Sequence, residues 1–158
     1  MLSGCAPSPD RPRASSSSEP SSHSDAATRS GTGEIRHDLA PLTDRFPQLA
    51  GAQSATWLSG TLGDERVPGP STYWIDAVVV LNEAGFAELR AIADGEADSD
   101  SDSATGLQEL DPGLDEALPA GPFVRSPALD EAFSKDGRVT QVALDEATGS
   151  VVLTSRFE

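Results

Sequence analysis

The segment of residues 73–81 constrains the fold more than any other part of this sequence. It reads YWIDAVVVL, and in an extended backbone its side chains alternate between two faces that are both mostly apolar. Tyr73 and Ile75 fall on one face, and Trp74 and Asp76 fall on the other. A strand that is apolar on both faces needs cover on both sides. The sequence therefore predicts a central strand in a sheet that has further structure packed against each face.

Strands and helices are predicted on either side of this segment from hydrophobic spacing, capping residues and turn residues. The expected elements are a helical turn within residues 38–50, a strand over 54–62, a helix over 83–93 that Asn82 caps, short helices that begin at 112 and 127, and a C-terminal hairpin of strands 138–144 and 150–157 with Gly149 at positive φ. Helices that lie between two pairs of strands favour an α+β fold. We expect one small antiparallel or mixed sheet with about three short helices.

The chain begins with a polar region that predicts a disordered tether. Residues 6–34 contain no Leu, Ile, Val, Met, Phe, Tyr or Trp, and serine and proline take their place. Such a segment buries too little apolar surface to offset the entropy lost when its backbone is ordered. We therefore divide the chain into residues 1–5, a disordered Ser/Pro-rich linker over 6–37, and one acidic α+β domain over 38–158.

The charge is concentrated in the predicted domain. The chain has 26 Asp and Glu residues against 11 Lys and Arg residues, a net charge of −15. Residues 1–37 contain four of each kind, so the whole excess falls on residues 38–158. A domain this acidic repels phosphate backbones and anionic lipid headgroups. We expect no nucleic-acid partner and no direct electrostatic adhesion to a membrane.

Side chains that carry common catalytic or metal-binding chemistry are scarce. The chain has two histidines, His23 and His37, both placed in the predicted linker, and one cysteine, Cys5. A Ser-His-Asp or Cys-His arrangement within the domain and a zinc site both lack their residues. The glycine-rich patterns of nucleotide sites are absent from the sequence as well. We therefore expect a non-catalytic protein that carries no cofactor and no metal.

Three residues of the central strand are candidates for a binding site. Tyr73 and Trp74 offer aromatic surface, and Asp76 offers a carboxylate in the middle of an apolar strand. An ionised carboxylate in such a place has to be paired or hydrogen-bonded. A structural role is the alternative, with the aromatic rings in the core and Asp76 bonded to an arginine, a backbone N–H or an indole.

An acidic loop allows a weak calcium hypothesis. Asp98, Asp100, Asp102 and Glu109 stand at the first, third, fifth and twelfth positions of an EF-hand-like pattern. Ser103 occupies the sixth position, where the tight turn of an EF-hand needs glycine. A solvated low-complexity loop therefore accounts better for this segment.

The first residues and one internal segment carry a resemblance. Leu2-Ser3-Gly4-Cys5 resembles a bacterial lipobox, the motif in which signal peptidase cuts before a cysteine that receives diacylglycerol and an acyl chain such as palmitate. The segment PGPSTYWIDA, over residues 68–77, is similar to a group of small actinobacterial lipoproteins without an assigned activity. Only Met1 precedes this motif in the sequence, whereas lipoproteins of this kind carry a basic and an apolar segment there.

The resemblance implies export and a lipid anchor on Cys5. The protein would then lie on the outer face of the cytoplasmic membrane, with an envelope protein or another envelope component as its partner. The alternative is a chance match of four residues in a soluble cytoplasmic protein with a structural or regulatory role.

Overall fold

The computed structural model describes residues 29–31, 34–62, 72–93, 107 and 110–157. In this part of the chain, a five-stranded antiparallel sheet packs against three α-helices, and the short strand β1 extends the sheet at one edge. The strands are β1 (Arg29–Gly31), β2 (Ala52–Leu62), β3 (Thr72–Leu81), β4 (Phe123–Arg125), β5 (Arg138–Asp145) and β6 (Ser150–Phe157). The helices are α1 (Ala40–Arg45), α2 (Glu83–Ala93) and α3 (Pro127–Phe133), with 3₁₀ turns at Pro47–Leu49 and Pro112–Leu114. The predicted α+β class is confirmed.

The strand order explains why residues 73–81 are apolar on both faces. The order is β1-β2-β3-β6-β5-β4, and each neighbouring pair is antiparallel. Strand β3 lies between β2 and β6, with Ala77 opposite Trp57 on one side and opposite Leu153 on the other. The predicted central position of this strand is confirmed.

Each face of the sheet has its own apolar cluster. The helices cover one face, here called the helix face, and the segment that follows residue 106 covers part of the other, here called the second face. The helix-face cluster includes Trp57, Ile75, Val79 and Val151 from the sheet with Phe46, Leu89, Leu129 and Phe133 from the helical side. The second-face cluster comprises Leu58, Trp74, Val78, Leu107, Leu114, Phe123, Ala143 and Val152.

The predicted capping and turn residues act as the sequence indicated. The side-chain oxygen of Asn82 accepts a hydrogen bond of 2.8 Å from the backbone N–H of Gly85, which places it as the cap of α2. Ser126 accepts a bond of 3.2 Å from Ala128 N–H at the start of α3. Gly149 takes a φ of 65° in the turn between β5 and β6. Capping needs only a local sequence pattern, so these predictions succeeded.

Contacts with β2 begin before the predicted start of the domain at residue 38. The backbone N–H and carbonyl of Arg36 pair with those of Trp57 at 2.8 and 3.0 Å, and β1 pairs with the far end of β2. His37 Nδ1 lies 3.0 Å from the carbonyl oxygen of Ala55. These contacts involve residues on the N-terminal side of the boundary drawn between residues 37 and 38. Backbone pairing needs no apolar side chain, so it leaves no mark in composition. Of the linker predicted to be disordered over residues 6–37, residues 6–28, 32 and 33 lie outside the described residues.

The segment after residue 110 differs from its prediction. Asp111 caps it as expected, with its carboxylate 2.9 Å from Gly113 N–H, but the predicted helix is a single 3₁₀ turn, Pro112–Leu114. Strand β4, which was not predicted, follows and pairs with β5. Only seven residues separate Asp111 from Pro119, and so short a helix has little stability of its own.

Helix α3 supplies hydrogen-bond acceptors to the outer edge of β5. A carboxylate oxygen of Asp130 accepts a bond of 2.7 Å from Val142 N–H, and the hydroxyl of Ser134 accepts one of 2.8 Å from Thr140 N–H. Partial burial raises the pKa of Asp130 above its ordinary value of 3.8, although the bond from Val142 and the charge of Arg125 oppose the shift. Two side chains thus take the place of a further strand along this edge.

Candidate functional site

A groove of about 350 Å³ lies on the helix face, at the end of the sheet where β2 ends and β3 begins. It lies between the strands and the chain that leads into α1. Its lining includes aromatic, aliphatic, hydroxyl and guanidinium groups, contributed by Arg36, Pro41, Arg45, Trp57, Ser59, Gly60, Thr61, Tyr73, Trp74, Ile75 and Phe157. The volume falls within the range of small-molecule sites, about 300–1,000 Å³.

The strand register supplies the floor of this groove. Tyr73 on β3 lies between Thr61 on β2 and Phe157 on β6, and one pair further along, Ile75 lies opposite Ser59. Residues two apart on a strand share a face, so these side chains form two adjacent rows. Tyr73 is 53% exposed, which leaves its ring available to a ligand. The floor is therefore aromatic and aliphatic, with hydroxyl groups toward β2.

Trp57 connects the floor to the side wall. Its indole N–H donates a hydrogen bond of 3.0 Å to the carbonyl of Asp38, and its ring is 2% exposed. The guanidinium carbon of Arg36 lies 5.1 Å from the centre of the indole ring, a cation–π contact. The backbone pairing of Arg36 with Trp57 fixes this arrangement, so one cation is held beside the groove.

Arg45 places a second cation at the groove. It lies in the last turn of α1, and its guanidinium donates a bond of 3.3 Å to the carbonyl of Pro41. Its own carbonyl accepts a hydrogen bond from the guanidinium of Arg138. This bond ties the end of α1 to the start of β5 and holds the position of Arg45.

Acidic residues lie close by in sequence, at Glu34, Asp38 and Asp44. Among the residues described here, the ion pairs involve Arg90, Arg125 and Arg138, and none involves Arg36 or Arg45. Both of these side chains are exposed. The groove therefore presents two guanidinium groups in a chain whose net charge is −15.

The structure separates the three residues that the sequence put forward for binding. Tyr73 lies at the groove on the helix face. Trp74 and Asp76 point to the second face, where Trp74 is 2% exposed and belongs to the apolar cluster. Trp74 also borders the groove, but the strand alternation places its side chain and that of Asp76 on the face opposite to the Tyr73 ring.

Asp76 has the structural role that the sequence offered as the alternative. It is 0% exposed, and its two oxygens accept bonds of 2.7 Å from the Thr154 hydroxyl and 2.8 Å from Asp111 N–H. A backbone N–H was among the expected partners. The buried carboxylate attaches the segment that covers the second face to the centre of the sheet.

A smaller depression of about 140 Å³ lies on the second face. It is lined by Val139, Gln141, Thr154 and Arg156. The depression is about half the volume at which small-molecule sites begin. Thr154 donates its hydroxyl to Asp76, so part of this lining already has a structural role. The groove on the helix face is therefore the stronger candidate site.

Several predicted features lie outside the described residues. These are Cys5 and the lipobox-like motif, the proline-rich stretch before β3, and the acidic positions Asp98, Asp100, Asp102 and Glu109. In the portions of the chain that the structure describes, no three His, Cys, Asp or Glu side chains cluster as metal ligands would. Over the same portions, the helices are too short or too polar to cross a membrane.

Arg36, Arg45 and Phe157 were not proposed from the sequence. They come from the region before α1, from α1 and from the last strand, and no spacing pattern links these three regions. Arg36 stood in the predicted linker, and Arg45 lay in the helical turn predicted within residues 38–50 without any role assigned to it. The antiparallel placement of β6 beside β3 brings Phe157 to Tyr73, and the sequence left the strand order open.

Comparisons with known proteins give no relative from which a function could be inferred. No protein-family model matches the chain, and no curated protein or solved structure matches it either.

Proposed function

We propose that this protein is a lipid-anchored lipoprotein of the outer face of the cytoplasmic membrane, with a non-catalytic domain that binds an envelope component in the helix-face groove. The observation that carries the binding role is the groove itself, in which two guanidinium groups lie beside an aromatic and aliphatic floor. The anchor is supported by the lipobox-like motif that ends at Cys5 and by its resemblance to actinobacterial lipoproteins.

The chemistry of the groove suits recognition. Arginine stays protonated at physiological pH, so Arg36 and Arg45 provide fixed positive charge and hydrogen-bond donors. The hydroxyls of Ser59 and Tyr73 add polar contacts, and the rings of Tyr73 and Phe157 add apolar surface. A mostly apolar groove with a few converging polar groups is typical of a ligand site.

The region before the domain is compatible with anchoring. If residues 6–28 are flexible, as their composition predicts, their end-to-end distance would be about 25 Å, enough to hold the domain clear of lipid headgroups. The strongly negative domain would be repelled by an anionic membrane surface. A tethered domain of this kind would bind soluble molecules or proteins of the envelope and would not bind the membrane surface itself.

The second candidate is a soluble cytoplasmic protein with a structural or regulatory role, which uses the same groove without an anchor. The two candidates differ at Cys5, the one cysteine in the sequence. We expect the intact mass of the protein from membrane fractions of its source cells to correspond to a chain that begins at Cys5 with added diacylglycerol and acyl groups. An unmodified chain that begins at Met1 in the soluble fraction would refute the anchor.

The binding role is tested separately on the purified domain. We expect native mass spectrometry, after incubation with an envelope extract, to reveal a bound species that Tyr73→Ala removes. Val139→Ala is the matched control, because Val139 is 67% exposed and lies outside the groove. Recovery of no bound species, or equal loss with both variants, would contradict binding in this groove.

A further inference from the structure

We infer that the ligand of the groove is an amphipathic monocarboxylate, a small molecule with an alkyl or aryl body that ends in one carboxylate. This inference rests on the proposed binding function and adds the chemical class of the ligand.

The floor of the groove favours a ligand with an alkyl or aryl part. Tyr73 on β3 lies opposite Phe157 on β6, and these two rings provide most of the accessible apolar surface. Ile75 and Trp57 also border the groove, but they are only 4% and 2% exposed. Pockets for small ligands are lined predominantly by hydrophobic and aromatic side chains. The exposed ring of Tyr73 allows such a body to enter from solvent.

The side of the groove near α1 favours an anionic group on the ligand. Arg36 and Arg45 reach it from separate segments, and neither forms an ion pair with the carboxylates that the structure describes. A guanidinium presents a planar fork of donors that matches a carboxylate in a two-bond arrangement. The cation–π contact with the Trp57 ring, 5.1 Å from the guanidinium carbon to the ring centre, restricts the Arg36 side chain beside the groove.

The charge of the whole chain favours a monoanion. With a net charge of −15, the protein repels anions at long range, and a doubly charged phosphate group meets about twice the repulsion of a carboxylate. The apolar body adds binding energy that long-range repulsion does not affect. A single carboxylate on an apolar body therefore fits both the local cations and the overall field.

Calorimetric titration with matched pairs of probes tests this inference. The probes are octanoate with octanol, and phenylpropionate with phenylpropanol, so that each pair differs in the carboxylate. We expect one carboxylate or both to bind at least tenfold more tightly than the corresponding alcohol. Arg36→Gln and Arg45→Gln should each weaken carboxylate binding by about tenfold and leave alcohol binding unchanged.

Arg90→Gln is the matched control for the loss of one positive charge. Arg90 lies on α2, pairs with Glu146 at 2.5 Å and takes no part in the groove. We expect this variant to bind the carboxylates as the unmodified protein does. Equal weakening by Arg90→Gln would show a general effect of charge and would overturn the inference.

The remaining outcomes separate this inference from the proposed function. Equal affinity for acid and alcohol, or tighter binding of octyl phosphate, would overturn the carboxylate while binding in the groove stands. If neither carboxylate binds at millimolar concentration, the inference also fails. The proposed function is then decided by whether the envelope extract yields a ligand of another class that Tyr73→Ala removes.

Discussion

The hydroxyl of Thr154 donates a hydrogen bond of 2.7 Å to the fully buried carboxylate of Asp76 on the neighbouring strand. The other oxygen of Asp76 accepts from Asp111 N–H at 2.8 Å. One acid therefore connects β3, β6 and the segment that covers the second face. Removal of this carboxylate should therefore destabilise the packing of β3, β6 and that segment together.

Asp76→Asn should lower the free energy of unfolding by about 2–4 kcal/mol, because the new NH₂ group faces a donor and leaves buried groups without partners. Thr154→Val should cost less, about 1 kcal/mol. Chemical denaturation of both single variants and the double variant measures the coupling between the two side chains. Simple additivity of the two effects would contradict the direct bond.

Gly51→Ala should destabilise the protein by about 1–3 kcal/mol through overpacking. A β-carbon at this position would lie 2.8 Å from the side-chain oxygen of Asn82 and 3.0 Å from the α-carbon of Gly85, so it would displace the cap of α2. Asn82→Ala, which removes the cap and adds no atoms, should cost about 1 kcal/mol. Thermal unfolding gives both values, and an equal cost for the two would argue against a steric effect at Gly51.

The stability that Asp130 contributes should fall as the pH rises. Burial raises the pKa of this carboxyl above 3.8, so the folded chain keeps the proton to a higher pH than the unfolded chain does. The contribution is complete below pH 3.8 and is lost as the pH passes through the raised pKa. The unmodified protein should therefore lose stability relative to Asp130→Asn between acid and neutral pH.

Ser134→Ala is the control for Asp130→Asn. It removes the neighbouring hydrogen bond at the edge of β5, from Thr140 N–H, without removing a titrating group. Parallel profiles of unfolding free energy against pH for the two variants would contradict the assignment to Asp130.

Gly149→Ala should cost about 1 kcal/mol, because an L-residue with a β-carbon is strained at a φ of 65°. The nearest atom to a new β-carbon is the carbonyl oxygen of Leu81 at 3.9 Å, so the cost is conformational and involves no clash. Gly149→Asn should recover much of the loss, since asparagine tolerates this conformation. Equal unfolding free energies for the two variants would contradict this explanation.

Local patterns predicted much of the fold, and long-range pairing accounts for what they missed. The alternation in residues 73–81, the caps at Asn82 and Ser126 and the turn at Gly149 each depend on near neighbours, and each is confirmed. Strand β4 pairs through three residues only, Phe123–Arg125, and so short a run carries no periodicity. Its position follows from β5, which comes later in the chain.

The candidate site was much less predictable than the fold. The sequence drew attention to Tyr73, which lines the groove, but it grouped this residue with Trp74 and Asp76 on the opposite face. Arg36 and Arg45 became candidate site residues only when the sheet and α1 brought them to the same groove. A sequence does not distinguish an exposed arginine that lines a groove from one that faces only solvent, because the difference arises from the tertiary fold.

The acceptors that α3 provides along β5 also bear on self-association. Strand-to-strand aggregation begins when an incoming chain bonds to free N–H groups at the rim of a sheet. At Thr140 and Val142 these groups are already bonded to Ser134 and Asp130, so a second molecule can add there only after α3 has detached. The rate of aggregation at this rim should therefore follow the local opening of α3, even when many copies are crowded onto one surface.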